Sequence, residues 1–504
     1  MSVKKKSVFL FFLRAVKALV SVVTLSLSAK YFGVTIARDT WIMAYTFLVT
    51  FDMMFWGPVN ETFRTKFIQL NEIEGKQNAI LKTNTLFIFT NFFTIVLFIL
   101  LFLLAPIAAK ILLPKSTPED FTLLVNMIHI LAPSLLFNQV NNLMTGILNA
   151  YNIFFVPEIS GLISSILNIL VIVFCVPYFG IYSLAVGYYI SLLLLFFLLI
   201  YNIKKSSVPL LKGKIEVKWD NVKVFLLFAL PYYAPYFFGQ INGIAEKSIA
   251  SMVGKSSISI LDYARKIVEM PSNVITGVLA TMLVPILSKN FINNNRGEYN
   301  KHFIEFFQLG ILFFTFFIVL LVFCSHDLTN FLYNKGSISA LDLKKIEDLT
   351  IGYAVSFISI FLYQLFSFVL LSSNQGKLAA LLGILPQVFM VACNFSLFRI
   401  IGVWTFPISL FLGHIFSSIV FYFKYPYNLK GYKKNMLKYC FFLVTVIIFS
   451  FGINFILSPY MAYNLYINLS LEILLSFIIL MVSSFLFKID ELQNFKNLIY
   501  KKIK

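Results

Sequence analysis

Apolar runs of roughly eighteen or more residues recur from one end of this 504-residue chain to the other. A run of that length crosses the hydrocarbon core of a bilayer as a helix, the form in which one segment satisfies its own backbone polar groups. A β-barrel would show alternating segments of about ten residues instead, and none dominate. Only 12% of the residues are charged, against about 25% in soluble domains. The chain therefore reads as an all-α polytopic membrane protein. Fourteen spans are expected, at 7–31, 39–62, 83–112, 121–148, 153–177, 181–202, 222–252, 256–288, 303–331, 347–373, 377–398, 402–423, 438–458 and 464–487. The first run, Phe9 to Phe32, is too long for a signal-peptide core and reads as helix 1.

An even span count puts both termini on one side, and Lys and Arg choose the side. With the termini cytoplasmic, that side carries 27 of them and the opposite side 10; Arg14, Lys17, Arg265 and Lys266 fall within spans. This is the positive-inside pattern, and it accounts for the +19 net charge without nucleic acid. Trp41, Trp219 and Trp404 fall near span ends, where an interfacial belt places them. The four cysteines (Cys175, Cys324, Cys393, Cys440) and four histidines (His129, His302, His326, His414) show no metal-ligand spacing, so no metal site or cofactor is expected.

The longest polar connection, 203–221, separates two expected lobes. Residues 1–205 would hold helices 1–6 and 206–221 the cytoplasmic linker. Residues 222–425 would hold helices 7–12, and 426–504 an appended helix pair with a basic tail. Weak internal similarity supports duplication. Ala29-Lys-Tyr-Phe-Gly33 precedes Asp39 as Ala250-Ser-Met-Val-Gly254 precedes Asp262, at an offset of 221 residues. Duplicated halves around a midplane site are a recurring transporter architecture.

Charge inside spans is costly and marks function or internal pairing. Span 8 carries Asp262, Arg265, Lys266 and Glu269. On a helix, Asp262–Lys266 and Arg265–Glu269 are i,i+4 neighbours, so the cluster reads either as self-neutralised or as a cationic site for an anion. Helix 1 carries Arg14 and Lys17 on one face, either snorkelling to headgroups or joining the span-8 cations around a multiply charged anion. Span 2 carries Asp39, Asp52, Gly57-Pro58 and Glu61. The proline either kinks a moving gate or is structural. Asp52 reads as a counter-ion to the helix-1 cations or a proton carrier. Glu158 and Asn168 share a face of span 5, and Glu246 beside Lys247 reads as an exposed pair. No GxxxxGK[ST] or GxSxG motif is present, which argues against an ATP motor or a membrane-embedded enzyme.

Several stretches together carry a resemblance: AKYFGVTIARDTWIMAY (29–45), GILNAYNIFFVPEI (146–159) followed by Asn168, LDYARKIVEMPSNVITGVLATMLVPILSKNF (261–291) and FLYNKGSISALD (331–342). The chain resembles the MurJ (MviN) lipid II flippases, within the multidrug/oligosaccharidyl-lipid/polysaccharide exporter superfamily. The resemblance implies two six-helix lobes around a cationic cavity, with two further helices forming a groove for a polyprenyl tail. It also implies transfer of a lipid-linked disaccharide-pentapeptide to the outer leaflet of the bacterial cytoplasmic membrane by alternating access. Coupling would be to Na+, H+ or membrane potential, with membrane lipids as the only other partners implied.

By motif position Lys266 replaces the family's span-8 Arg, while Asp39 and Asn168 match its Asp and Asn. Arg14, Lys17, Arg265, Lys266 and Asn168 would then hold the diphosphate. Asp39, Asp52, Glu61, Asp262 and Glu269 would gate or balance it. Glu246 and Asn394 are candidates for a sodium site by analogy. Two motifs depart from the family: helix 1 reads KALVSVVTL from Lys17, with one cation, and Phe51-Asp52-Met53 replaces a Leu-Arg-Arg. The cavity is therefore expected to be less basic. The alternatives are a flippase for another lipid-linked oligosaccharide, a cation-coupled drug exporter, and a non-transporting envelope-assembly scaffold.

Overall fold

A computed structural model describes residues 3–151, 153–206, 208, 210, 216–457 and 464–489. Residues 211–215 of the expected linker and 490–504 of the basic tail lie outside the described residues. The described residues form sixteen α-helices. They are α1 (Val3–Phe32), α2 (Ile36–Ile73), α3 (Lys76–Leu112), α4 (Pro118–Leu131), α5 (Ser134–Ala150), α6 (Phe155–Phe179), α7 (Ser183–Lys205) and α8 (Trp219–Val253). They continue as α9 (Ser257–Ile292), α10 (Arg296–Tyr333), α11 (Ala340–Ser372), α12 (Gly376–Leu382), α13 (Ile384–Ile401), α14 (Thr405–Tyr422), α15 (Lys433–Leu457) and α16 (Leu465–Leu486). Among the described residues ten helical stretches are long and apolar enough to cross a membrane. Two of them, 155–205 and 376–422, are each pairs of spans joined through a 3-10 turn at Gly180 or Gly402. The bent pair α4–α5, broken by 42° around Pro133, and the charged α9 complete the fourteen expected spans.

Several helices outrun their apolar core. Hydropathy ends span 2 at residue 62, yet α2 continues to Ile73 because Phe63, Phe67 and Leu70 keep a buried i, i+4, i+7 stripe going. Pro58 sits inside this continuous helix, and the Thr62 hydroxyl donates to the Pro58 carbonyl at 2.7 Å. Helix starts are capped by the residues that sequence logic favours. In FLYNKGSISALD, Gly336 takes the left-handed turn (φ +89°) and the Ser339 hydroxyl accepts from the Asp342 N–H at 3.2 Å. That motif is thus, in physical terms, a turn and an N-cap.

The chain divides into two compact units, Met1–Ser259 and Ile260–Lys504. The sequence places its linker at 206–221; by packing, the division falls later, because α8 lies against α2 and α3 of the first unit. In the first unit α2 is central, touching α3, α4, α5 and α8, while α6 and α7 form a tight hairpin that also receives α1. In the second unit α10 is the buried axis. It packs against α11 on one side and against the appended pair α15–α16 on the other, with Phe303, Ile311, Phe314 and Ile318 fully enclosed.

Candidate functional site

The first unit holds a polar cavity of about 550 Å³ between α2, α5, α7 and α8. Helical spacing builds its walls. On α5, Asn138, Asn142, Thr145 and Asn149 stand at i, i+4, i+7 and i+11, so one face of the helix is polar. On α2 the lining face runs through Tyr45, Asp52, Gly57, Asn60, Glu61 and Arg64. Tyr188 of α7 and Tyr236 of α8 close the sides.

Small residues allow this approach. A methyl group on Gly57 would lie 2.5 Å from the Tyr236 ring, so only glycine admits that ring against α2. Tyr236 then donates its hydroxyl to Glu61 Oε2 at 3.2 Å. Gly146 does the same for Phe63 between α5 and α2. The Tyr188 hydroxyl and the Asn138 amide exchange hydrogen bonds at 2.8 and 3.1 Å. The Asn60 amide donates to Gln139 Oε1 at 3.1 Å. Arg64 lies over the Phe154 ring, 4.8 Å from its centroid.

Asp52 is the anomaly of the cavity. It is 6% exposed, and its Oδ1 has no hydrogen-bond partner among the described residues. It makes no ion pair with a described cation.

The other sequence-derived candidates lie elsewhere. Arg14 is on α1, and its side chain falls outside the described residues. Lys17 sets its ammonium against Gly161 of α6, where an added methyl group would lie 3.3 Å from Nζ. Asn168 packs on Gly187 of α7, with its Oδ1 buried and without a hydrogen-bond partner among the described residues. Asp39 accepts both the N–H and the hydroxyl of Ser259. Beside it, Arg38 reaches Ser28 Oγ at 3.2 Å and the Ser259 carbonyl at 3.3 Å. Of these candidates only Asp52 and Glu61 line the cavity.

In the second unit Lys266 pairs with Glu269 at 3.0 Å, an i,i+3 contact. Asp262 and Arg265 lie within electrostatic reach of that pair. The Lys266–Glu269 contact thus stands at i,i+3 beside the charges of Asp262 and Arg265. Glu246 and Lys247 bond at 3.2 Å with side chains 13% and 12% exposed, so this pair is half-buried where the sequence suggests exposure. Asn394, in the second unit, accepts the Ser409 hydroxyl at 2.6 Å. No group of three His, Cys, Asp or Glu suited to a metal exists among the described residues.

The sequence reading missed Asn60, Arg64, the α5 asparagines and the three tyrosines. The α5 asparagines carried a signal, four polar residues at helical spacing inside an apolar span.

Helices long and apolar enough to cross a membrane, with a polar cavity among those of the first unit, define a polytopic membrane protein of transporter type. It overlays an inward-facing multidrug resistance MATE family transporter of the MOP superfamily with TM-score 0.69 at 13% identity, covering 84% of this chain and 99% of that one. It overlays a structure described as lipid II flippase MurJ, inward closed conformation, with TM-score 0.78 at 21% identity, covering 96% of this chain and 99% of that one. The family described as lipid II flippase MurJ matches residues 28–477, and the chain belongs to that family. The lipid II flippase MurJ of Burkholderia cenocepacia is 24% identical over 312 residues, 61% of this chain. The chain spans about 60% of that relative's length.

Proposed function

We propose that this chain is a flippase that carries lipid II from the inner to the outer leaflet of the bacterial cytoplasmic membrane by alternating access. The observation that carries the reading is the family match over residues 28–477, joined to a membrane-embedded cavity rich in amide and hydroxyl groups. Such groups suit a sugar and peptide headgroup, because they can exchange hydrogen bonds with it at little desolvation cost. The span-8 cations Arg265 and Lys266 are assigned to the diphosphate, and the 27-to-10 distribution of Lys and Arg supports cytoplasmic termini. The membrane potential or a cation gradient supplies the driving force.

A second reading, a flippase for another lipid-linked oligosaccharide, is favoured by one observation. The cavity sets two carboxylates, Asp52 and Glu61, against the single cation Arg64. The test is replacement of the essential lipid II flippase by this chain in a bacterial depletion strain, with outward-facing precursor assayed directly. Growth with restored outward precursor is expected. Failure, with the protein folded in the membrane, moves the substrate to another lipid-linked glycan.

A further inference from the structure

Asp52 poses a chemical question that the cavity around it answers. A carboxylate removed from water and left without a partner is expensive, and the bilayer setting raises the cost. Asp52 is nonetheless 6% exposed with Oδ1 unpartnered among the described residues, at the wall of an open polar cavity. Arg64 does not neutralise it. That residue is twelve positions further along α2, about 18 Å by helical rise, and its guanidinium is stacked on Phe154.

The surroundings of Asp52 are aromatic and oxygen-rich. Tyr188 stands within electrostatic reach of it. Tyr45 meets Tyr188 edge-on, with ring centroids 5.2 Å apart. The Tyr188 hydroxyl is already engaged with Asn138, so it is not a free donor to Asp52. Further along α2, eight and nine positions on, Asn60 Oδ1 has no partner among the described residues and Glu61 accepts the Tyr236 hydroxyl.

We propose that the Asp52 end of this cavity binds a primary ammonium group, carried on a diamino-acid side chain in the headgroup of the transported molecule. The proposal rests on the flippase reading above and narrows its substrate. A buried carboxylate with an unpartnered oxygen at a cavity wall matches an ammonium by charge-assisted hydrogen bonding. It also gives Asp52 and the distant Arg64 separate duties along one slot, the first for the amine and the second for an anionic part of the ligand.

The experiment compares two forms of lipid II on the purified full-length chain in nanodiscs. One has a lysine with a free side-chain amine in its peptide; the other has that amine acetylated. Acetylation is expected to weaken binding about tenfold or more. Asp52→Asn, nearly isosteric, is expected to bind both forms with equal affinity. Equal binding of the two forms by the unmutated chain overturns the ammonium site and leaves the flippase reading standing. Binding of neither form overturns both. The comparison of ligands needs no variant, so a folding defect in Asp52→Asn does not rescue the proposal.

Discussion

Asp39 and Ser259, 220 residues apart, meet through two hydrogen bonds to one carboxylate oxygen, from the Ser259 N–H at 2.8 Å and from its hydroxyl. Ser259 is the third residue of α9, so Asp39 satisfies one of the orphan N–H groups at that helix start and places negative charge at its positive end. The two residues sit in the repeated motifs themselves, after Gly33 and after Gly254. The chain after Gly33 and the chain after Gly254 therefore meet within the first unit, with Arg38 reaching the Ser259 carbonyl.

Asp39→Ala leaves Arg38, 2% exposed, without its adjacent carboxylate and uncaps α9. A destabilisation of about 3 kcal/mol is expected, the scale for breaking a buried charge network. Ser259→Ala removes one hydroxyl and costs about 1 kcal/mol. Unfolding of both single variants and the double variant in detergent checks this, and strictly additive losses would contradict the linkage.

Gly57→Ala drives a methyl group into the Tyr236 ring. Overpacking of this kind costs about 1–3 kcal/mol, and it also pulls the Tyr236 hydroxyl from Glu61. Gly239→Ala on α8, with nothing within 4 Å of the added carbon, is expected to leave stability within about 0.5 kcal/mol of the parent. Melting temperatures of the two variants, measured side by side, separate crowding from helix propensity.

Lys266→Ala is expected to abolish transport while leaving the fold intact. Its pair with Glu269 is partly exposed, at 40% and 27%, so screening limits the stability loss to about 1 kcal/mol or less. A folded variant that still transports at the parent rate removes Lys266 from the substrate path.

Among the described residues Glu472 Oε2 of α16 (6% exposed) and Asp327 Oδ2 of α10 (7% exposed) have no hydrogen-bond partner, and Asp327 lies within electrostatic reach of Glu472. Glu472→Gln removes a like charge from this seam and adds amide donors. It is expected to stabilise the protein by about 1–2 kcal/mol. A lower melting temperature than the parent would contradict this reading of the seam.

The spans were legible in the sequence because bilayer thickness fixes their length, and the 331–342 motif because turns and caps are local. The polar face of α5 was equally present at i, i+4, i+7 and i+11, but average hydropathy hides a stripe that helical phase reveals. The extension of α2 past residue 62 was hidden in the same way. The bond between Asp39 and Ser259 and the seat of Lys17 on Gly161 depend on which helices pack together, and no local pattern encodes that. Asp52 stood out as a charge inside a span; that it would be unpartnered in a tyrosine-walled cavity could be seen only in three dimensions.

The central claim is tested most directly by the purified chain in liposomes containing lipid II, with headgroup accessibility to a membrane-impermeant reagent followed over time. Protein-dependent exchange of lipid II between leaflets is predicted, lost in folded Lys266→Ala. Exchange no faster than in protein-free liposomes, with the unmutated chain folded and inserted, would contradict the account.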